Sequence, residues 1–144
     1  MQVFLPYADF KKSVEVLDNK RLGNQIYREC LTLIRGGWKN HPCSKMWFPN
    51  YVHSLAKYAI YGLIELQKRG KNYPHHMKTF IDILNNSPDT GAPKWLGNTD
   101  FHISHRRALL YKNYEWYKQF GWKEFPDIPN EYGKLNYFWP TNNI

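Results

Sequence analysis

Between Pro49 and Arg69 the chain carries a continuous apolar stripe of Val52, Leu55, Ala56, Ala59, Leu63 and Leu66. Intervals of three and four residues put these side chains along one side of an α-helix. A helix of this length with one apolar side must be covered by other elements. The segment therefore predicts the central core helix, closed by Gly70. A second helical pattern starts near Asp18, where Leu22, Ile26, Cys30 and Leu33 recur, and Gly36-Gly37 ends it. Pro74 suits a first helical position, with Met77, Phe80, Ile81 and Leu84 directed inward. Asp9 is placed to cap a short first turn, and Val3-Phe4-Leu5-Pro6 reads as an extended arm. Residues 85–97 are rich in turn formers and read as a loop. The tail after Gly121 holds three prolines and six aromatics, too apolar to float free, and predicts an irregular strap across the helices. No segment alternates as a half-buried strand would. The expected fold class is all-α, one domain over residues 1–144 with about four to five helices.

The segment Phe101–Phe120, FHISHRRALLYKNYEWYKQF, mixes cations with flat rings. As helix it sets His102, His105 and Arg106 at i, i+3 and i+4, on one face. That combination suits a phosphate backbone and unstacked bases. It equally describes an amphipathic helix with solvated cations, and the charge balance decides between them. Lys and Arg number 20 against 12 Asp and Glu, a net +8, which favours a polyanionic partner, nucleic acid before an anionic membrane surface. A hydrophobic content of 42% excludes disorder through low hydrophobicity. No apolar run approaches the roughly 20 residues of a bilayer span. The opening MQVFLPYADFKK lacks the pattern of a signal peptide. Cys30 and Cys43 are too few for a disulfide framework or a zinc knuckle. A soluble protein of the cytoplasm or nucleoid, not secreted and not bound to membrane, is expected.

No HExxH or CxxC pattern accompanies the histidines, so no metal is expected. Nucleophile elbows and phosphate-cradling glycine loops are missing too. A chemistry that needs only an amine and a carboxylate remains. An uncharged amine can attack C1′ of a nucleotide, displace the base and leave a Schiff base, from which the phosphate is eliminated. Glu29, beside Arg28 on the polar face of the Asp18 helix, is the best-placed carboxylate. Taken alone, it could equally be a surface residue paired with a Lys or Arg.

Three stretches carry a resemblance. They are MQVFLPY with LDNKRLGNQ near the start, GWKNHPCSKMW in the middle, and WLGNTDFHISHRRALLYK with WYKQFGW and YFWP near the end. Together they resemble the pyrimidine-dimer DNA glycosylase/AP lyase family, the endonuclease V type of phages and its bacterial branch. The resemblance implies duplex DNA with a damaged pyrimidine or an abasic site as partner, a monomeric enzyme and no cofactor. It implies the N-terminal amine as nucleophile, here Met1, because bulky Gln2 blocks its removal. It also implies a Glu within a Tyr-Arg-Glu triplet, here Glu29 of Tyr27-Arg28-Glu29. The bacterial branch places its Glu one position earlier, where this chain has Arg28. One α-helical residue is about 100° of rotation, so an uninterrupted α-helix predicts a carboxylate turned away. Lys20, Arg21, Gln25 and Arg28 would line the DNA side of that helix, and His102, His105 and Arg106 would hold phosphates from the last one. Gln2, Asn40, His41 and Lys112 complete the expected DNA contacts, with Trp116, Tyr117 and Trp122 serving the lesion or the core. Two other readings stay open: a non-catalytic nucleic-acid-binding domain on the same scaffold, and an enzyme acting on a free or modified nucleotide.

Overall fold

The apolar stripe of the long helix is where the fold is assembled. The structure is a computed structural model that describes residues 2–140 apart from the side chain of Tyr27, and all regular structure among them is helical. α1 spans Phe10–Val16. α2 covers residues 19–34 in three consecutive stretches, α-helical Asn19–Asn24, π-helical Gln25–Cys30 and α-helical Leu31–Ile34. α3 (Pro42–Trp47), α4 (Val52–Lys68) and α5 (Pro74–Asn86) follow, then α6 (Thr99–Lys112) and α7 (Tyr114–Tyr117), which runs into a 3-10 turn at Lys118–Phe120. α4 buries Leu55, Ala56, Ala59, Leu63 and Leu66 and packs against α1, α2 and α5. Its Gly62 lets α2 come close, because the Ile26 side chain fills the space where a Cβ would stand.

The all-α expectation holds, with more helices than about four to five. The additional ones are short and are fixed by capping rather than by a long apolar pattern. Asp9 accepts a hydrogen bond from the Lys12 amide to start α1. His41 Nδ1 accepts from the Cys43 amide to start α3, with Pro42 as its first residue. Asn113 ends α6 and caps α7 through the Trp116 amide. One inward assignment fails: Phe80 is buried, but Ile81 is 40% exposed because α5 covers α4 with a single edge.

The arm lies inside the core rather than over it, with Val3 and Leu5 completely buried. Such a segment belongs to no helix or strand, so side chains must satisfy its backbone groups. Phe4 N–H donates to Gln25 Oε1 at 2.9 Å, and Phe4 C=O accepts from Tyr58 O–H at 2.6 Å. Leu5 N–H donates to His105 Nδ1 at 2.8 Å, and Leu5 C=O lies 2.8 Å from His102 Nδ1. Pro6 C=O accepts from Arg106 Nη1 at 2.6 Å, and Ser13 Oγ bonds both Tyr7 N–H and Tyr7 C=O.

The tail is the predicted strap. Asp127 holds it by accepting from the Asn136 amide at 2.7 Å and from the Asn136 side chain at 3.1 Å. Phe138 N–H donates to Ser104 Oγ at 3.1 Å. These bonds lay the strap along α6 and carry Tyr137 and Trp139 to the arm. No helix among the described residues is long and apolar enough to cross a membrane.

Candidate active site

Arm, α2 and strap meet around a cleft of about 780 Å³. Gln2 and Phe4 come from the arm, Lys20, Arg21, Asn24, Gln25 and Glu29 from α2, and Lys134, Tyr137 and Trp139 from the strap. His41 and Lys112 complete the rim. The volume falls within the roughly 300–1,000 Å³ of small-ligand sites, room for one nucleotide and not for a duplex. Phe4, Tyr137, Trp139 and His41 form a chain of rings, with centroids 6.5, 5.5 and 5.6 Å apart in that order. Lys20, Lys112 and Lys134 have no ion pair among the described residues, and burial with Arg21 and Lys20 nearby lowers the pKa of Lys112. Arg21 is held at 2.9 Å by Asp18.

Among the described residues Glu29 is the only carboxylate lining this cleft, and it has no ion pair. It lies within the π-helical stretch Gln25–Cys30. Lys20, Arg21, Asn24 and Gln25 also line the cleft, and Glu29 follows Gln25 at i+4 and Asn24 at i+5. The carboxylate expected to be turned away by the one-residue offset therefore stands at the cleft, unlike Arg28. Arg28 is exposed, does not line the cleft, and faces shallow grooves with Thr32, Arg35 and Trp38 instead.

Seven of the expected positions come together in the cleft: Gln2, Lys20, Arg21, Gln25, Glu29, His41 and Lys112. Gln25 is buried with both ends used, its Nε2 donating to Tyr58 at 2.6 Å, so it positions the arm instead of contacting a ligand. Met1 lies outside the described residues, but it is bonded to Gln2. Asn40 is exposed and outside the cleft. The phosphate-holding role expected of α6 is corrected. His105 is fully buried and His102 is 5% exposed. Both are neutral and bonded to the arm: Leu5 N–H donates to Nδ1 of His105, whose Nε2 has no partner among the described residues, and His102 donates Nδ1–H to Leu5 C=O while its Nε2 accepts from Gly97 N–H. Burial holds the His105 pKa down at about 3 and lowers that of His102 as well. Arg106 forms a two-pronged pair with Glu124, at 2.9 and 3.0 Å, besides holding Pro6. None of the three is free for a phosphate. Tyr117 is also buried, and its O–H donates to Asp18 at 2.6 Å. Trp116 and Trp122 pack against the core.

Lys134, Tyr137 and Trp139 were not expected in the site. The cluster YFWP is the only signal for Tyr137 and Trp139, because a strap that must be buried has to cover something, and nothing in the pattern singles out Lys134. Among the described residues no group of three or more His, Cys, Asp or Glu could hold a metal ion.

The buried histidines set the acid response. Their folded pKa values lie below the ordinary histidine value of 6.5, so the unfolded chain binds more protons between that value and the folded ones. Stability is then fully present above about pH 6.5 and is lost as pH falls toward the folded values. The thermal midpoint should fall steadily from pH 7 to 4.5, and His105→Gln should flatten that slope. A midpoint independent of pH over this range would contradict the neutral-histidine arrangement.

The described residues thus form an all-α scaffold with a cationic, ring-lined cleft in which Glu29 is the one lining carboxylate. Residues 1–80 match the family described as pyrimidine dimer DNA glycosylase, and the chain belongs to that family. The match covers the arm, α1 to α4 and half of α5. No curated protein and no solved structure matches the chain.

Proposed function

We propose that residues 1–144 act as one domain, and as a monomer, to excise a damaged pyrimidine from duplex DNA and cut the strand at the resulting abasic site. The Met1 α-amine is the nucleophile. Its lone pair attacks C1′, and the base departs with the electrons of the C1′–N bond and a proton. The nitrogen lone pair then breaks the C1′–O4′ bond, O4′ takes a proton as the sugar ring opens, and a Schiff base is left. A proton leaves C2′, its C–H electrons form C2′=C3′, and the C3′–O bond breaks with the phosphate as leaving group. Glu29 stabilises the positive charge that develops on the sugar and takes the C2′ proton. Lys20, Lys112 and Lys134 hold the flanking phosphates, Arg21 adds positive charge from its pair with Asp18, and the ring wall of Tyr137 and Trp139 takes the base. Gln2 Oε1 accepts from Val3 N–H while its buried Nε2 has no partner, which leaves that N–H a donor for a base carbonyl.

The observation that carries this reading is the lone, unpaired Glu29 in a cationic cleft lined by Gln2, the residue bonded to the N-terminal one. Borohydride trapping on a duplex with one abasic site tests it. A covalent protein–DNA adduct is the expected result. A protein that binds this duplex and never forms the adduct is a binding domain.

A further inference from the structure

Trp38 has no role in the fold that its surroundings explain. It is 65% exposed, and among the described residues its ring meets no other ring and its indole N–H has no partner. Its backbone lies at φ 55°, the left-handed region, and it is the only described residue other than glycine with positive φ. A bulky side chain is strained there. The turn that imposes it is fixed on both sides: Gly37 N–H donates to Thr32 C=O at 2.9 Å and His41 N–H to Trp38 C=O at 2.8 Å. The indole borders a groove with Arg28, Glu29, Thr32 and His41, directly beside the cleft. Arg28, Arg35 and Lys39 around it are exposed and form no ion pair among the described residues. An apolar plane that shares a groove with Arg28 and Glu29, with the exposed Arg35 and Lys39 close by in sequence, matches the chemistry of a base stack beside a phosphate backbone.

We propose that Trp38 is a wedge that enters the duplex and fills the space left by the nucleotide drawn into the cleft. This rests on the DNA reading given above. Proteins that unstack a duplex do so with apolar side chains inserted at base steps, and extruding a nucleotide costs stacking that an inserted ring restores in part. Trp38 is not among the residues that line the cleft. It is a positioning residue, and its effect depends on there being a stack to enter.

The test compares wild type with Trp38→Ala on a lesion-bearing duplex and on the same strand unpaired. The duplex carries 2-aminopurine opposite the lesion. Wild type should raise the 2-aminopurine fluorescence, and Trp38→Ala should give less than a third of that rise. Its duplex affinity should drop about tenfold while single-strand affinity changes less than twofold. Equal losses on both, or none on either, would overturn the wedge. A second variant guards against a folding role: Trp38→Gly suits positive φ and should melt no lower than wild type. A drop of more than about 5 °C would show that the indole serves the fold, and would also overturn the proposal. If wild type leaves no borohydride adduct, the lyase reading fails, and the duplex-to-single-strand ratio still judges Trp38.

Discussion

Glu29→Gln should slow single-turnover cleavage of a lesion-bearing duplex by about 10²–10³-fold, the usual loss when a preorganised electrostatic group is removed. The amide keeps the shape and hydrogen-bonding reach of the carboxylate. It cannot offset positive charge on the sugar or accept the C2′ proton. DNA affinity, measured in parallel, should hold or improve slightly, since a charge that repels phosphate is gone. The fold should be indifferent, because no ion pair among the described residues uses this carboxylate. Asp18 cannot substitute. Tyr117, Asn113 and Arg21 occupy its carboxyl oxygens, and although burial works to raise its pKa, these hydrogen bonds prevail and lower it. Exchanging the neighbours, Arg28→Glu with Glu29→Arg, tests the geometry. Composition and net charge are unchanged, yet the acid moves to a position that does not line the cleft. That double variant should be at least as slow as Glu29→Gln. A rate within twofold of wild type in either protein would remove Glu29 from the mechanism.

The parts of the molecule legible in the sequence are those whose pattern reports burial. The stripe of α4, Pro74 at the start of α5 and the strap after Gly121 all followed from apolar spacing and turn residues. The π turn did not. Leu22, Ile26 and Cys30, spaced four and four, fit the roughly 100° apolar stripe of an ordinary α-helix, and all three are fully or nearly fully buried, so apolar spacing carries no sign of the wider turn. The histidines of α6 were misread for a different reason. Periodicity placed His102, His105 and Arg106 together correctly, but a shared face does not say what it touches. The arm threads the core without a helix or strand to bond it, so its amides and carbonyls took the polar side chains that seemed suited to phosphate. The cationic surface came instead from Lys20, Lys112 and Lys134, contributed by three separate segments that only the folded chain brings together.

Acetylating the N-terminal amine should abolish borohydride trapping on an abasic duplex while gel-shift binding persists. An acetylated nitrogen is an amide, its lone pair is delocalised, and it cannot form an imine. The choice of the α-amine follows from its acidity. Unperturbed values of about 7.7–8.0 for an α-amine and about 10.4 for a lysine leave several-hundred-fold more of the former uncharged at pH 7. The competitor worth testing is Lys112. It lines the same cleft, and burial together with Arg21 and Lys20 lowers its pKa toward the range where an amine becomes nucleophilic. Lys112→Ala should bind DNA more weakly, having lost a phosphate partner, and should still yield the adduct at saturating protein. The small acetyl group is preferable to a tag, because Gln2 is only 7% exposed and a longer extension would disturb it. If the acetylated protein still traps and Lys112→Ala does not, the Schiff base forms on Lys112, and the crowding of cations around that lysine is the means by which the fold activates it.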